Sequence, residues 1–397
     1  MMAVPFYDHA KLYHRRKEEI DAAIQRVLAG GRLDWGDEVP AFEGEFADWN
    51  EAAHAVTVGS GTAALKVALL ALGIGPGDEV VTVSNTDVAV SSSIRLTGAT
   101  VVWVDVDPVT RTMDPVAFEA AITPRTRAVM PVDLFGHPAD LGAIVTIARR
   151  HGLAVIEDAC IALGATIGAR KVGTFSDVTC FSFAPTKHLG AYGSAGACLT
   201  QDAALAERMR KISGYGQHRS RHRAIHAGAL PQGLHHETDG LNERLDEVQA
   251  AILRVKLSDL DATLDARRAQ AARYETRLAG SSVATPQVAE GFGHAWRNYV
   301  IEVDDRDRIR QALADAGIGT SLSYAPPMHL QPVYAGLGQG PGSFPVTEYS
   351  CARLIGLPIG PHLDVSQIDE VCDALLRASR SSDQRVRDSA FSTSATP

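Results

Sequence analysis

The chain has 397 residues, a formal net charge of −9, and apolar and charged fractions of 45% and 21%, values of an ordinary globular protein large enough for one sizeable α/β domain and a smaller companion. The acidic balance argues against nucleic acid or an anionic membrane as a partner. No apolar run approaches the roughly 20 residues of a membrane span, and the polar start, with Asp8, His9, Lys11 and Arg15, has no signal-peptide core, so a cytoplasmic location is expected.

Between Ala55 and about Thr200, short β-branched runs alternate with stretches of helical spacing. Ala55–Val58, Val80–Val83, Val101–Val104, Ala128–Val132 and Ala154–Ile156 read as strands; Thr62–Leu72, Pro115–Ala121 and Leu141–His151 read as helices. Near-continuous apolar strands separated by helices predict a mainly parallel sheet covered on both faces. Gly73–Asp78 is a tight turn feeding one strand. From Asn242 to about Leu278 the apolar positions Leu245, Val248, Ile252, Val255, Leu260 and Leu264 predict one long helix. A smaller α+β region follows over about 282–376, with a strand at Tyr299–Val303 and a helix near Arg306–Ala316. Three parts are therefore expected: 1–255 as an N-terminal segment and large domain, 256–378 as a small domain, and 379–397 as a disordered tail poor in large apolar side chains.

Cys160, Cys180, Cys198, Cys351 and Cys372 are scattered and form no C-x-x-C pair, which favours reduced, buried thiols over disulfides or zinc. The polar stretch Ser213–Asp239 carries His218, His222, His226, His235 and His236. No acidic or cysteine partner recurs there at ligand spacing, so no metal is expected and a mobile loop over a site fits better.

Four features carry chemistry. Ser60-Gly61-Thr62 follows a strand and opens a helix; free N–H groups at a helix start, a glycine permitting close approach and two hydroxyls make a phosphate cradle, although Ser and Thr cap many ordinary helices. Glu157-Asp158 puts two acids at the carboxyl end of a predicted parallel strand, where open α/β sheets keep their ligands and where an acid can hold a ring nitrogen protonated. Ser182 ends another strand and is followed, after a proline turn, by Lys187 in an apolar, hydroxyl-rich setting that suits a Schiff-base amine. Asn242 opens the predicted long helix, as an ordinary cap or as a phosphate ligand from a neighbouring chain. Together, these parts are what pyridoxal 5'-phosphate needs.

On these residues the sequence resembles the DegT/StrS family of sugar aminotransferases, within the aspartate-aminotransferase fold (fold type I). The resemblance runs through Gly36–Val39, Gly59–Leu65, Gly75–Val80, Asp105–Asp107, Gly136–Asp140, Glu157–Ala159, Val172–Thr174, Phe181–Phe183 with Lys187, Asn242–Ala251, Pro326–His329 and Gly356–Pro358. It implies an α/β fold with a mostly parallel seven-stranded sheet and a smaller α+β C-terminal domain. It implies Lys187 as the Schiff-base and proton-shuttling residue, Asp158 as partner of the pyridine nitrogen, and Gly61, Thr62 and Ser182 as phosphate ligands, helped by Asn242 from the other subunit of a homodimer. His329 and Tyr324 fall near the implied substrate pocket, with Asp87 facing cofactor or substrate.

Three positions depart from the family pattern. Asp87 stands where an aromatic ring usually covers the cofactor, Ile161 where a glutamine is usual, and Gly193–Gly196 replaces a more acidic loop. The implied reaction moves an amino group from glutamate or glutamine to a nucleotide-linked keto-hexose. A keto-cyclitol or aminoglycoside precursor remains open as acceptor, with Arg219, Arg221 and Arg223 as a conceivable diphosphate site. A dehydratase or epimerase on the same scaffold, and a non-catalytic regulator that binds the cofactor, also stay open.

Overall fold

A computed structural model describes residues 3–217 and 236–392. The large sheet has seven strands: β1 (His54–Val58), β2 (Glu79–Val83), β3 (Thr100–Val104), β4 (Thr126–Met130), β5 (Ala154–Asp158), β6 (Val178–Ser182) and β7 (Gly196–Thr200). Their spatial order is β1-β7-β6-β5-β4-β2-β3. Every pairing from β3 to β6 is parallel, and only β7 runs antiparallel, to both β6 and β1. The predicted mostly parallel sheet is therefore present. β7 was not among the named runs, because Gly196-Ala197-Cys198-Leu199-Thr200 has too little β-branched character to announce a strand although all five residues are buried.

Helices Gly61–Ala71, Val88–Leu96 and Leu141–Arg150 cover the sheet, and Ala63, Leu65, Leu69, Ile94, Ile144, Val81, Val129 and Ile156 share one core. A second core lies on the opposite side. Phe42 and Phe46, one turn apart on helix Glu38–Asn50, meet Phe181 and Phe183 with ring centroids 5.0 to 5.6 Å apart. The period of two along a strand then decides the site: with Phe181 and Phe183 turned into this aromatic cluster, Ser182 faces the other way.

The long helix expected over 242–278 is two helices, Glu247–Leu257 and Leu260–Leu278, broken at Ser258-Asp259. The first begins only after Asp246, because Glu247 turns inward to accept the Glu38 and Val39 N–H groups at 2.9 and 3.1 Å. The C-terminal part packs Tyr299–Glu302 antiparallel to Leu354–Leu357 under helices Leu260–Leu278, Arg306–Asp315 and Val365–Ser392. Two features differ from the expected division. Val4, placed with the N-terminal part, bridges Ile318 and belongs to the C-terminal core. The last helix carries the backbone to Ser392, so 379–392 is not an unstructured tail; Ser379 is buried and donates to the Leu375 carbonyl at 3.0 Å.

Candidate active site

The cradle forms at the carboxyl ends of the strands. Ser60, in extended conformation, caps helix Gly61–Ala71 by accepting the Ala63 N–H at 3.0 Å. The first-turn N–H groups of Gly61 and Thr62 are left to point outward. A Cβ on Gly61 would stand 2.7 Å from the Cβ of Ser182 and 3.1 Å from Cys160 Sγ, so only glycine lets the helix start close onto β6. Gly196 serves the same approach from β7, where a Cβ would lie 2.5 Å from the Ser60 carbonyl oxygen.

Asp158 ends β5. Its Oδ1 accepts the Cys160 N–H at 3.0 Å, and its backbone joins β4 and the segment after it: Asp158 N–H donates to Pro131, and Asp133 N–H donates to Asp158. The carboxyl is 5% exposed and burial raises its pKa, while the Cys160 hydrogen bonds and the charge of Lys187 pull the other way. A buried carboxylate at a strand end, with no ion pair among the described residues, is suited to a cationic ring nitrogen. Behind it, Glu157 accepts from Ser176 and Thr179 at 3.0 and 2.7 Å. Burial raises Glu157 and lifts Asp133 well above the usual carboxylate range, with their mutual interaction adding to the rise at Asp133.

Lys187 is displayed by a compact turn after β6. Its N–H donates to Ala184 at 2.8 Å, Ala191 N–H donates to Phe183 at 2.8 Å, and a Cβ on Gly190 would meet the Pro185 carbonyl at 2.5 Å. Burial pulls the Lys187 ammonium below the ordinary lysine range; Arg297 adds to the fall, while Cys160, Asp158 and Asp87 oppose it. An amine whose pKa burial lowers, beside a buried carboxylate and an anion cradle, is the arrangement a Schiff base needs.

Asp87 caps helix Val88–Leu96 through the Ala89 N–H at 2.9 Å, and its carboxylate lies near enough to Lys187, Asp158 and Tyr324 to raise the pKa of each. Tyr324, in left-handed backbone conformation (φ 64°), stacks on Phe135, also left-handed (φ 59°), with centroids 5.9 Å apart; burial pushes its phenol pKa up. His329 is 1% exposed and both ring nitrogens are engaged, Nδ1 with Ser84 Oγ at 2.7 Å and Nε2 with Glu348 at 3.1 Å. That binds Pro327–Leu330 to the segment ending at Asp87. Asn242 is exposed in a backbone bridge to Gly214, and its neighbour Glu243 accepts the Gly59 N–H at 3.1 Å. Ile161 packs in the large core.

Sequence reasoning did not single out Cys160, Asp133 or Arg297. The signal for Arg297 was a charge inside the apolar run Ala295–Ile301. The polar stretch with His218, His222, His226 and His235, and Arg219, Arg221 and Arg223, lies outside the described residues; among the described residues no His/Cys/Asp/Glu group could hold a metal, and no helix is long and apolar enough to cross a membrane. A separate cavity of about 250 Å³, lined among others by Arg111, His137, His294 and Glu302, adjoins Phe135 and is not lined by Lys187 or Asp158.

Residues 14–376 match the DegT/DnrJ/EryC1/StrS aminotransferase family. The chain is 45% identical over 375 residues to the erythromycin biosynthesis sensory transduction protein EryC1 of Saccharopolyspora erythraea, covering 94% of this chain and 99% of that protein. It is 44% identical over 373 residues to the dTDP-3-amino-3,4,6-trideoxy-alpha-D-glucose transaminase of Streptomyces venezuelae, covering 94% and 95%. The crystal structure of S. venezuelae DesV in complex with a ketimine intermediate superposes with a TM-score of 0.89 at 43% identity, over 96% of this chain and 99% of that one.

Proposed function

Because the chain belongs to the DegT/DnrJ/EryC1/StrS aminotransferase family, we propose that it transfers an amino group from glutamate or glutamine to a nucleotide-linked keto-sugar in amino-sugar biosynthesis. It is a fold type I aminotransferase, and its cofactor is pyridoxal 5'-phosphate. The observation that carries the reading is the convergence of Lys187, Asp158 and the Gly61–Ser182 cradle at the carboxyl ends of the strands.

The residues fit the cofactor. The close approach that glycine at 61 allows brings the helix start with its Gly61 and Thr62 N–H groups next to the Ser182 hydroxyl, a set of donors that suits a phosphate dianion at a helix start. Asp158 is the acid for the ring nitrogen, Lys187 the amine for the aldehyde, and Asp87 the polar group on the remaining side. Asn242 would complete the phosphate site from a second copy in a homodimer.

When bound, the cofactor supplies an aldehyde that condenses with amines and a ring that, when cationic, draws electrons from the reacting carbon. Asp158 holds the proton on that ring by placing a buried negative charge beside it. Lys187 Nζ would be the base that takes the proton from the donor's α-carbon and, in the second half of the transfer, gives a proton to the acceptor's carbon. Burial serves this step, because a desolvated amine is neutral at lower pH than an exposed one. His329, fixed between Ser84 and Glu348, holds the loop that carries Tyr324 against the segment that carries Asp87. Tyr324 and Asp87 are the groups proposed to meet the acceptor's hydroxyls.

The test is exchange of labelled nitrogen between glutamate and 2-oxoglutarate, followed by a screen of nucleotide-linked ketones against the aminated form. Exchange in wild type and none in Lys187→Ala is expected. A protein that takes up pyridoxal phosphate yet is inert toward every amino donor would return the chain to a regulatory role; loss of water from a sugar without amino exchange would make it a dehydratase.

A further inference from the structure

The cavity of about 250 Å³ beside Phe135 lies between two parts of the chain, the segments that follow β3 and β4 on one side and residues 284–302 on the other. Backbone bonds join the two sides. The Arg297 and Asn298 N–H groups both donate to the Phe135 carbonyl, at 3.1 and 3.3 Å, and the Ala295 N–H donates to Gly136 at 2.8 Å. Among the described residues only two lining groups carry a formal charge, Arg111 and Glu302, and they pair with each other, Arg111 Nε donating to Glu302 Oε1 at 2.8 Å. Burial lowers both lining histidines, His137 and His294, so neither adds a charge at neutral pH. An ion entering this space loses its water and meets no counter-charge, so the occupant it suits is uncharged.

Two polar groups say more. Asn298 is 8% exposed and lines the cavity, and its amide makes no hydrogen bond among the described residues. A buried amide in that condition is costly until a ligand completes it. His294 Nδ1 accepts the Trp296 N–H at 2.7 Å, so the neutral ring carries its proton on Nε2, a second donor without a partner among the described residues. A primary amide offers a donor and an acceptor side by side, the complement of a ring N–H next to a carbonyl, and the His294 N–H answers a second carbonyl. Two carbonyls flanking one ring N–H make a cyclic imide, and the apolar walls at Val109, Val300 and Phe135 suit the faces of a flat ring. The volume, below the roughly 300–1,000 Å³ of drug-sized sites, matches one such ring with a single sugar. We propose that this cavity binds an uncharged pyrimidine nucleoside with an imide edge, of the thymidine or uridine kind, held by Asn298 and His294 as a ligand separate from both substrates. This goes beyond the aminotransferase reading and uses none of the residues assigned to the cofactor. Because Phe135 stacks on Tyr324 with centroids 5.9 Å apart, an occupant reaches the residue proposed to meet the acceptor.

The test titrates thymidine, 3-methylthymidine and thymidine diphosphate calorimetrically into the pyridoxal-phosphate-loaded protein. Wild type is expected to bind one equivalent of thymidine, and methylation at N3, which removes the imide proton, should weaken it roughly tenfold to a hundredfold. Asn298→Ala should weaken thymidine by a similar factor and leave cofactor uptake and thymidine diphosphate unchanged. Protein saturated with thymidine should still bind thymidine diphosphate, the acceptor-side probe. Should Asn298→Ala fail to fold, the comparison of thymidine with its N3-methyl form on wild type decides. No binding of thymidine, equal binding of the methylated form, or mutual exclusion of thymidine and thymidine diphosphate each overturns the proposal, the last by making the cavity part of the acceptor site. Failure of the aminotransferase reading looks different, as wild-type protein that exchanges no amino group whether or not thymidine binds.

Discussion

Asp133 donates its backbone N–H to the carbonyl of Asp158 at 3.0 Å, so two buried acids stand at the ends of neighbouring strands, and Glu157 makes a third. Asp133 Oδ1 accepts the Ala139 N–H at 2.8 Å, while its Oδ2 and Glu157 Oε1 are buried without an assigned donor. The raised pKa values of both carboxyls predict that they share a proton, with Asp158, the proposed partner of the cofactor ring, beside them.

That arrangement has a definite pH dependence. Burial first, and then Glu157, raises the folded-state pKa of Asp133 far above the ordinary value. A raised acid contributes stability that is fully present below the unfolded pKa of about 3.9 and is lost as pH rises through the folded value. Asp133→Asn supplies the donor without the titration. Its thermal midpoint should fall less than that of wild type as pH is raised from acid to mildly alkaline; parallel curves for the two proteins would refute the shared proton.

At the cradle, Gly61→Ala puts a methyl where Ser182 Cβ would be 2.7 Å away. Overpacking of this kind costs about 1–3 kcal/mol of stability, and the displaced helix start should lose cofactor affinity as well. Ser182→Ala, which removes one hydroxyl, should weaken cofactor binding roughly tenfold to a hundredfold with little change in stability. Both are read from absorbance titrations with pyridoxal phosphate, and unchanged affinity in both variants would place the phosphate elsewhere.

The charges around Lys187 shift its amine in opposite directions. Burial lowers it most; Arg297 lowers it further, whereas Asp87 and Asp158 raise it. In the apoprotein, Asp87→Asn should move the pH midpoint for acylation of Lys187 downward and Arg297→Gln should move it upward. Shifts of the same sign would break the assignment of these charges to one cavity.

The aromatic cluster beneath β6 can be tested from the far side. Phe46 is fully buried against Phe42, Phe181 and Phe183. Phe46→Ala should cost about 3–5 kcal/mol in denaturant unfolding and, because Phe181 and Phe183 flank Ser182, should also weaken the cofactor. A stability loss with cofactor affinity untouched would show that the cluster does not set the position of Ser182.

Much of this was legible in the sequence. The parallel sheet announced itself through its β-branched runs, and Gly61, Asp158, Ser182 and Lys187 fell at strand ends where ligands are kept. The break at Ser258-Asp259 was not legible, because the apolar positions on either side continue one helical spacing while the inward turn of Glu247 is a tertiary event. Nor was the place of Val4, whose bridge to Ile318 joins residues far apart in the chain. The burial of Arg297 against Tyr7 was not legible either, because it joins the N-terminal segment to the C-terminal half of the chain.

The reversal of β7 has an evolutionary side. A chain that crossed over after Ser182 would need a helix before re-entering the sheet; by doubling back it confines the proposed Schiff-base amine to residues 183–195, closed by the β6–β7 ladder and the Phe183 N–H to Ala195 hydrogen bond. Such a closed connection resists drift, so a lineage on this scaffold finds new acceptors and donors most readily by changing Asp87 and Tyr324, which lie on segments outside it.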